Sequence, residues 1–180
     1  MRNQRRRMTR ALILIGVSTV HAAVAGAQRP VTLNLGGGVS LPVARFHDVA
    51  NTGWHALASI GVSTLMQPLG LRLDGDYNHF SAKSGGPTPA ITSGTLNFTY
   101  RLPMTNSPLS PFVIVGLGGY HLACSGTPTC ESTTRLGWNA GLGTKFAALG
   151  LKGFLESRFN AVNARSGNIR YVPITLGLTF

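Results

Sequence analysis

The sequence predicts an all-β protein, an eight-stranded antiparallel up-and-down transmembrane β-barrel, and three observations carry this expectation. The chain ends on a strand whose faces separate cleanly, with Val172, Ile174, Leu176, Leu178 and Phe180 on one side and Pro173, Thr175, Gly177 and Thr179 on the other. Seven earlier segments repeat the same two-residue period, and none after the amino-terminal region has the ~20 apolar residues that a membrane-spanning helix requires. Connections between the segments mostly alternate long and short.

At the amino terminus, Arg2, Arg5, Arg6, Arg7 and Arg10 precede an apolar stretch from Ala11 to Val20 and the small residues Ala25, Gly26 and Ala27. That order is the one of a secretory signal peptide cut before Gln28, so residues 1–27 are expected to be a leader and 28–180 a single barrel domain. The leader holds 5 of the 16 basic residues, leaving 11 against 5 acidic ones, a positive excess. Such an excess favours contact with anionic outer-membrane lipid or lipopolysaccharide phosphates. With no basic run and no recognition motif, nucleic acid is not an expected partner.

The strands follow in order. Val31, Leu33, Leu35, Val39 and Leu41 alternate with Thr32, Asn34, Gly36, Gly38 and Ser40. Small residues on the second face suit a narrow, curled lumen. After a loop from Pro42 to Gly53, a second strand runs from Trp54 to Met66, with Ala56, Ala58, Ile60 and Val62 on one face and His55, Ser59, Gly61 and Ser63 on the other. A tight turn at Pro68 to Gly70 leads to a third strand, in which Leu71, Leu73 and Tyr77 oppose Arg72, Asp74, Asp76 and Asn78. The remaining segments are Ile91–Leu102, Phe112–Leu122, Leu136–Phe146 and Leu151–Val162; Phe112–Leu122 is apolar on both faces at Val113, Ile114 and Val115, so its register is open.

The long connections, at 42–53, 83–90, 125–135 and 163–167, belong on one side of the membrane, and the short ones, at 67–70 and 148–150, on the other. Residues 103–111 are the exception. Aromatic residues fall at strand ends, Trp54, Phe80, Tyr120 and Tyr171 near one rim and Tyr100, Phe112, Phe146 and Phe180 near the other. Two girdles at the lipid headgroups are therefore expected.

Charge supplies the candidate interior. Asp74, Asp76 and Glu156 share the polar faces with Arg72, Arg101, Lys145 and Arg158. Inside a barrel these seven residues are expected to form an ion-pair network, because a buried charge without a counterion is strongly unfavourable. An eight-stranded barrel is only wide enough for its side chains to fill, so a lumen so occupied is expected not to conduct.

Cys124 and Cys130 are the only cysteines, close together in one connection, and in an exported chain they are expected to pair. No histidine or third cysteine stands at ligand spacing in that connection, and His121 lies outside it, so no metal or other cofactor is expected.

The closing strand, with its alternating Leu176 and Leu178 and terminal Phe180, resembles the last strand of bacterial outer-membrane barrels. In that family this strand is the signal recognised by the barrel assembly machinery. Together with Leu35–Val43, the Ser-Pro-Phe and Gly-Leu-Gly pieces within Ser110–Gly118, and Leu155–Phe159, it makes the chain similar to small outer-membrane barrels of the OmpA-transmembrane-domain and OmpX type. The resemblance implies a monomeric, non-enzymatic protein of a Gram-negative-type outer membrane, contributing to envelope integrity or to surface contacts through its outer loops.

Two other readings follow from particular residues. His79 and Ser81 share the lipid face, and the run Asn78–Ser81 loosely resembles the His-x-Ser pair of lipid A deacylases, in which the histidine activates the serine. No acidic residue on an outward face stands ready to orient His79. A soluble exported barrel binding an apolar ligand is the third reading; it requires an oily lumen, whereas the polar faces here are charged.

Overall fold

The computed structural model describes residues 31–63, 68–83, 86, 88–104, 107–126, 132–148, 150–163 and 168–180. The expected leader lies outside them. Eight strands follow in chain order: β1 (Val31–Val43), β2 (Ala50–Ser63), β3 (Leu69–Ala82), β4 (Thr88–Arg101), β5 (Leu109–Ser125), β6 (Thr133–Ala148), β7 (Leu151–Val162) and β8 (Ile169–Thr179). A one-turn helix, α1 (Phe46–Val49), joins β1 to β2.

Each strand pairs antiparallel with its neighbours in sequence, and β1 pairs with β8 to close an up-and-down barrel with no free edge. Closure matters because an unpaired edge could not be satisfied in lipid. Strand lengths from 11 to 17 residues meet or exceed the ~9–11 that a tilted strand needs to cross a bilayer.

The two-residue period sorts side chains as the sequence indicates. Along β3, Arg72, Asp74, Asp76, Asn78 and Phe80 are buried while Leu73 and Tyr77 are exposed; along β4, Thr95 and Asn97 are buried while Leu96 and Phe98 are exposed. In β5 the buried series is Phe112 and Ile114, which settles its register. Leu73, Leu96, Leu117, Leu136, Leu142 and Leu176, all at least half exposed, belong to an apolar belt on the outside of the wall. A belt of that extent is far larger than the apolar patches of soluble proteins. The soluble reading is thereby corrected, because the apolar side chains face out and the lumen is polar.

Leu96→Arg is expected to destabilise the folded barrel in lipid by ~2–4 kcal/mol, since it sets a cation among acyl chains. Denaturant unfolding in vesicles measures it; a loss comparable with that of Leu96→Ala would be unexpected.

Strand ends differ from expectation. The expected 42–53 loop is largely strand and helix, because β1 continues to Val43 and β2 starts at Ala50. β4 and β5 extend through Pro89 and Pro111, which pair with Cys124 and Thr144. The connection between these strands thus shortens to residues 102–108, but at seven residues it is still as long as the β5–β6 connection, so it stays the exception to the alternation of loop lengths.

The aromatic girdles also need correction. Phe80, Tyr120 and Tyr171 turn inward and are almost wholly buried, as is Phe112 at the opposite end. Each occupies a lumen-facing parity position: Phe80 continues the series Arg72 to Asn78. Trp54 does face outward, its ring 5.5 Å from that of Tyr77, and Tyr100 and Phe180 are exposed at the other end.

Glycines make room for lumen rings. A Cβ on Gly177 or Gly36 would run into the ring of Phe154, which is buried across these two strands.

Candidate functional site

The interior is built in layers, and its centre is ionic. β3 and β7 stand four strands apart in either direction around the barrel, so they face each other across the lumen. Alternate residues of β3 deliver Arg72, Asp74 and Asp76, and alternate residues of β7 deliver Glu156 and Arg158. Arg72 grips Asp74 through Nε at 2.8 Å and Nη2 at 2.8 Å, and Glu156 through Nη1 at 2.7 Å and Nη2 at 2.8 Å. Arg158 donates to Asp74 at 2.8 Å and to Asp76 at 3.1 Å, and its Nε lies 2.8 Å from Glu156. Forked guanidinium–carboxylate contacts of this kind are geometrically demanding and strong. All five side chains are nearly inaccessible to solvent.

Neutral polar pairs surround this lattice. Toward the end that carries α1, the Ser40 hydroxyl donates to Asn78 Oδ1 at 2.6 Å and the Tyr120 hydroxyl to Asn160 Oδ1 at 3.1 Å. On its other sides, His55 Nε2 lies 2.8 Å from Thr175 Oγ1 and Asn34 donates to Ser59 at 3.0 Å. Except for Asn34–Ser59, which links the neighbouring β1 and β2, these pairs join strands that are not consecutive in sequence.

Beyond Asn78 and Asn160 the lumen becomes apolar. Phe46 from α1, Ala50, Phe80, Ile91, Tyr120, Val162 and Tyr171 form one buried cluster. Phe80 sits edge-on between Phe46, at 4.9 Å between centroids, and Tyr171, at 5.6 Å. Three of these rings were expected at the lipid headgroups; Phe80 shares its strand face with Arg72 and Tyr171 shares its face with Thr175, which was the available signal, whereas Tyr120 lies on the strand whose register was open.

The seven residues expected to form the network divide into two groups. Arg72, Asp74, Asp76, Glu156 and Arg158 come together, while Arg101 and Lys145 lie at the opposite end of the lumen and make no ion pair among the described residues. His79 and Ser81 lie on the outward face, where the His79 ring rests 5.8 Å from that of Trp54. No hydrogen bond joins His79 to Ser81 among the described residues, and Asp74 and Asp76 point into the lumen. No described residue is a free cysteine. The expected partner of Cys124, Cys130, lies outside the described residues. Among the described residues no group of three or more histidine, cysteine, aspartate or glutamate side chains is placed to hold a metal. Leu176 and Leu178 face outward on β8, and Phe180 pairs through its backbone with Leu33 at 2.8 and 3.0 Å.

Solved outer-membrane barrels share this architecture at low sequence identity. Neisserial surface protein A superposes with a TM-score of 0.68 at 14% identity, covering 83% of this chain and 95% of that one. For Ail, the attachment invasion locus protein of Yersinia pestis, the values are 0.55 and 12%, covering 83% and 97%. The N-terminal barrel domain of Pseudomonas aeruginosa OprF gives 0.53 and 16%, covering 85% and 100%. No curated protein matches the chain in sequence. Residues 11–177, however, match the family model described as outer membrane protein beta-barrel domain, so the chain belongs to that family of outer-membrane barrels.

Proposed function

We propose that the protein is a non-enzymatic, monomeric barrel of the outer membrane whose filled lumen does not conduct, acting in envelope integrity or surface contact through the end that carries α1. The observation supporting this is the ionic lattice from β3 to β7, which occupies the barrel's diameter and engages Arg72, Arg158 and all three lumen carboxylates. Ion flow would require separating buried charge pairs, at a cost of several kcal/mol. The apolar cluster around Phe80 is a second barrier in series. In planar bilayers the purified protein is expected to give no large, stable conductance. Steady open-channel steps would sink this reading.

Several parts of the reading concern biogenesis and surroundings. Residues 1–27 act as a cleaved leader, the strand ending at Phe180 is handed to the barrel assembly machinery, and Cys124 is bridged to Cys130. The end bearing α1 faces outward, where Arg45 and Arg170 line one surface recess and Lys83 Nζ donates to the His47 carbonyl at 2.6 Å. These cations suit lipopolysaccharide phosphates.

The esterase reading keeps one specific support, the shared outward face of His79 and Ser81. Incubation with lipid A is expected to release no acyl chain; release abolished by Ser81→Ala would establish the enzyme instead.

A further inference from the structure

The two ends of the lumen are unlike. At the end with α1 the barrel is stopped by packed rings, but at the other, where β1 begins and β8 ends, a polar recess of about 60 Å³ opens among Thr32, Asn34, Thr99, Arg101, Ser110 and Lys145. One water needs ~10–15 Å³ by this measure, so the recess has room for a few waters or one tetrahedral oxyanion.

Its charge is unbalanced, and the sequence leaves little to balance it. The protein has five acidic residues, Asp48, Asp74, Asp76, Glu131 and Glu156. Three of them are held in the ionic lattice. Asp48 belongs to α1 at the far end, and Glu131 belongs to the β5–β6 connection, outside the described residues. Arg72, which forms the floor of the recess, is committed to Asp74 and Glu156. Arg101 and Lys145 therefore have no protein carboxylate to pair with among the described residues.

Position makes the pair usable. Arg101 is in register with Phe112, and Lys145 with Ser110 on the same strand, so both cations approach the recess across β5 at nearly one level. Guanidinium, ammonium and hydroxyl donors line the recess together, and among the described residues no carboxylate lies within ion-pair distance of either cation. A phosphate group satisfies that set, because its oxygens accept both the charged and the neutral donors.

We propose that the inner mouth of the barrel is a binding site for a phosphate group, held between Arg101 and Lys145 with Ser110 and Thr99 as neutral donors. The plug around Phe80 makes the site a blind one, reached only from the end where β1 begins and β8 ends. The phosphate comes from solution or from an inner-leaflet phospholipid headgroup.

The test is equilibrium binding of radiolabelled orthophosphate to the purified full chain in phosphate-free maltoside micelles, with heat-modifiable gel migration confirming that each variant is folded. Saturable binding at one site is expected, weakened at least tenfold by Arg101→Gln with Lys145→Gln. Lys145→Arg is expected to keep it, as is Arg45→Gln with Arg170→Gln at the opposite rim. Repeating the measurement in phospholipid nanodiscs separates the sources: binding that persists marks a site for free phosphate, and binding lost there but present in micelles marks a site already filled by headgroups. Absence of saturable binding in micelles, or a double variant that folds and binds like the unaltered chain, overturns the proposal. Should the double variant not fold, Lys145→Gln alone decides, with the same two outcomes.

Discussion

Arg158→Met is expected to cost the barrel about 3–5 kcal/mol of stability, the range for removing one member of a buried ionic cluster. Arg158 contacts Asp74, Asp76 and Glu156 at 2.8–3.1 Å. Without it three carboxylates share the single guanidinium of Arg72, in an interior with no bulk water to solvate the surplus. The effect should be specific to the arginine: Asp76→Asn, which removes one acceptor at 3.1 Å and relieves like-charge crowding, is expected to cost clearly less. Denaturant unfolding in lipid vesicles, read through the fluorescence of Trp54 and Trp138, compares the two. A change within about 0.5 kcal/mol for Arg158→Met, typical of exposed sites, would mean that the cluster does not organise the lumen.

Phe80→Ala is expected to cost a similar amount, ~3–5 kcal/mol, for a different reason. The ring has no exposed surface and lies edge-on to both Phe46 and Tyr171, so its removal leaves a cavity bounded by the rigid wall. Because strands paired on both sides cannot collapse inward to fill it, the cavity term should be near its upper range. The same unfolding assay measures this, and Tyr77→Ala, an outward ring three positions earlier, provides the contrast at lower cost. Equal losses at both positions would contradict the inward placement of Phe80.

Parity explains most of what could be read without coordinates. A period of two assigns a face to each residue, and this was enough to separate Leu73, Leu96 and Leu176 from Asp74, Asn97 and Thr175. Height along the barrel is not contained in that period. It depends on strand tilt and stagger, which are properties of the closed sheet. For this reason Arg72 and Arg158 could not be told from Arg101 and Lys145 as partners of the carboxylates, although all four share the lumen face. Strand ends were illegible for a related reason. Pro89 and Pro111 discourage a strand by lacking an amide donor, yet near a rim the ladder tolerates the missing bond and continues past them. The aromatic residues failed as markers because ring chemistry suits both a headgroup girdle and a packed plug. At Phe80, Tyr120 and Tyr171 only the parity of neighbouring residues distinguishes the two.

The most direct measurement is a nitroxide scan along β4, with single cysteines introduced from Thr95 to Tyr100 in a cysteine-free background and collision rates recorded for oxygen, which concentrates among acyl chains. A barrel spanning the membrane predicts an oscillation of period two, with maxima at positions 96, 98 and 100 and minima at 95, 97 and 99. A flat profile, or maxima at 95, 97 and 99, would contradict it.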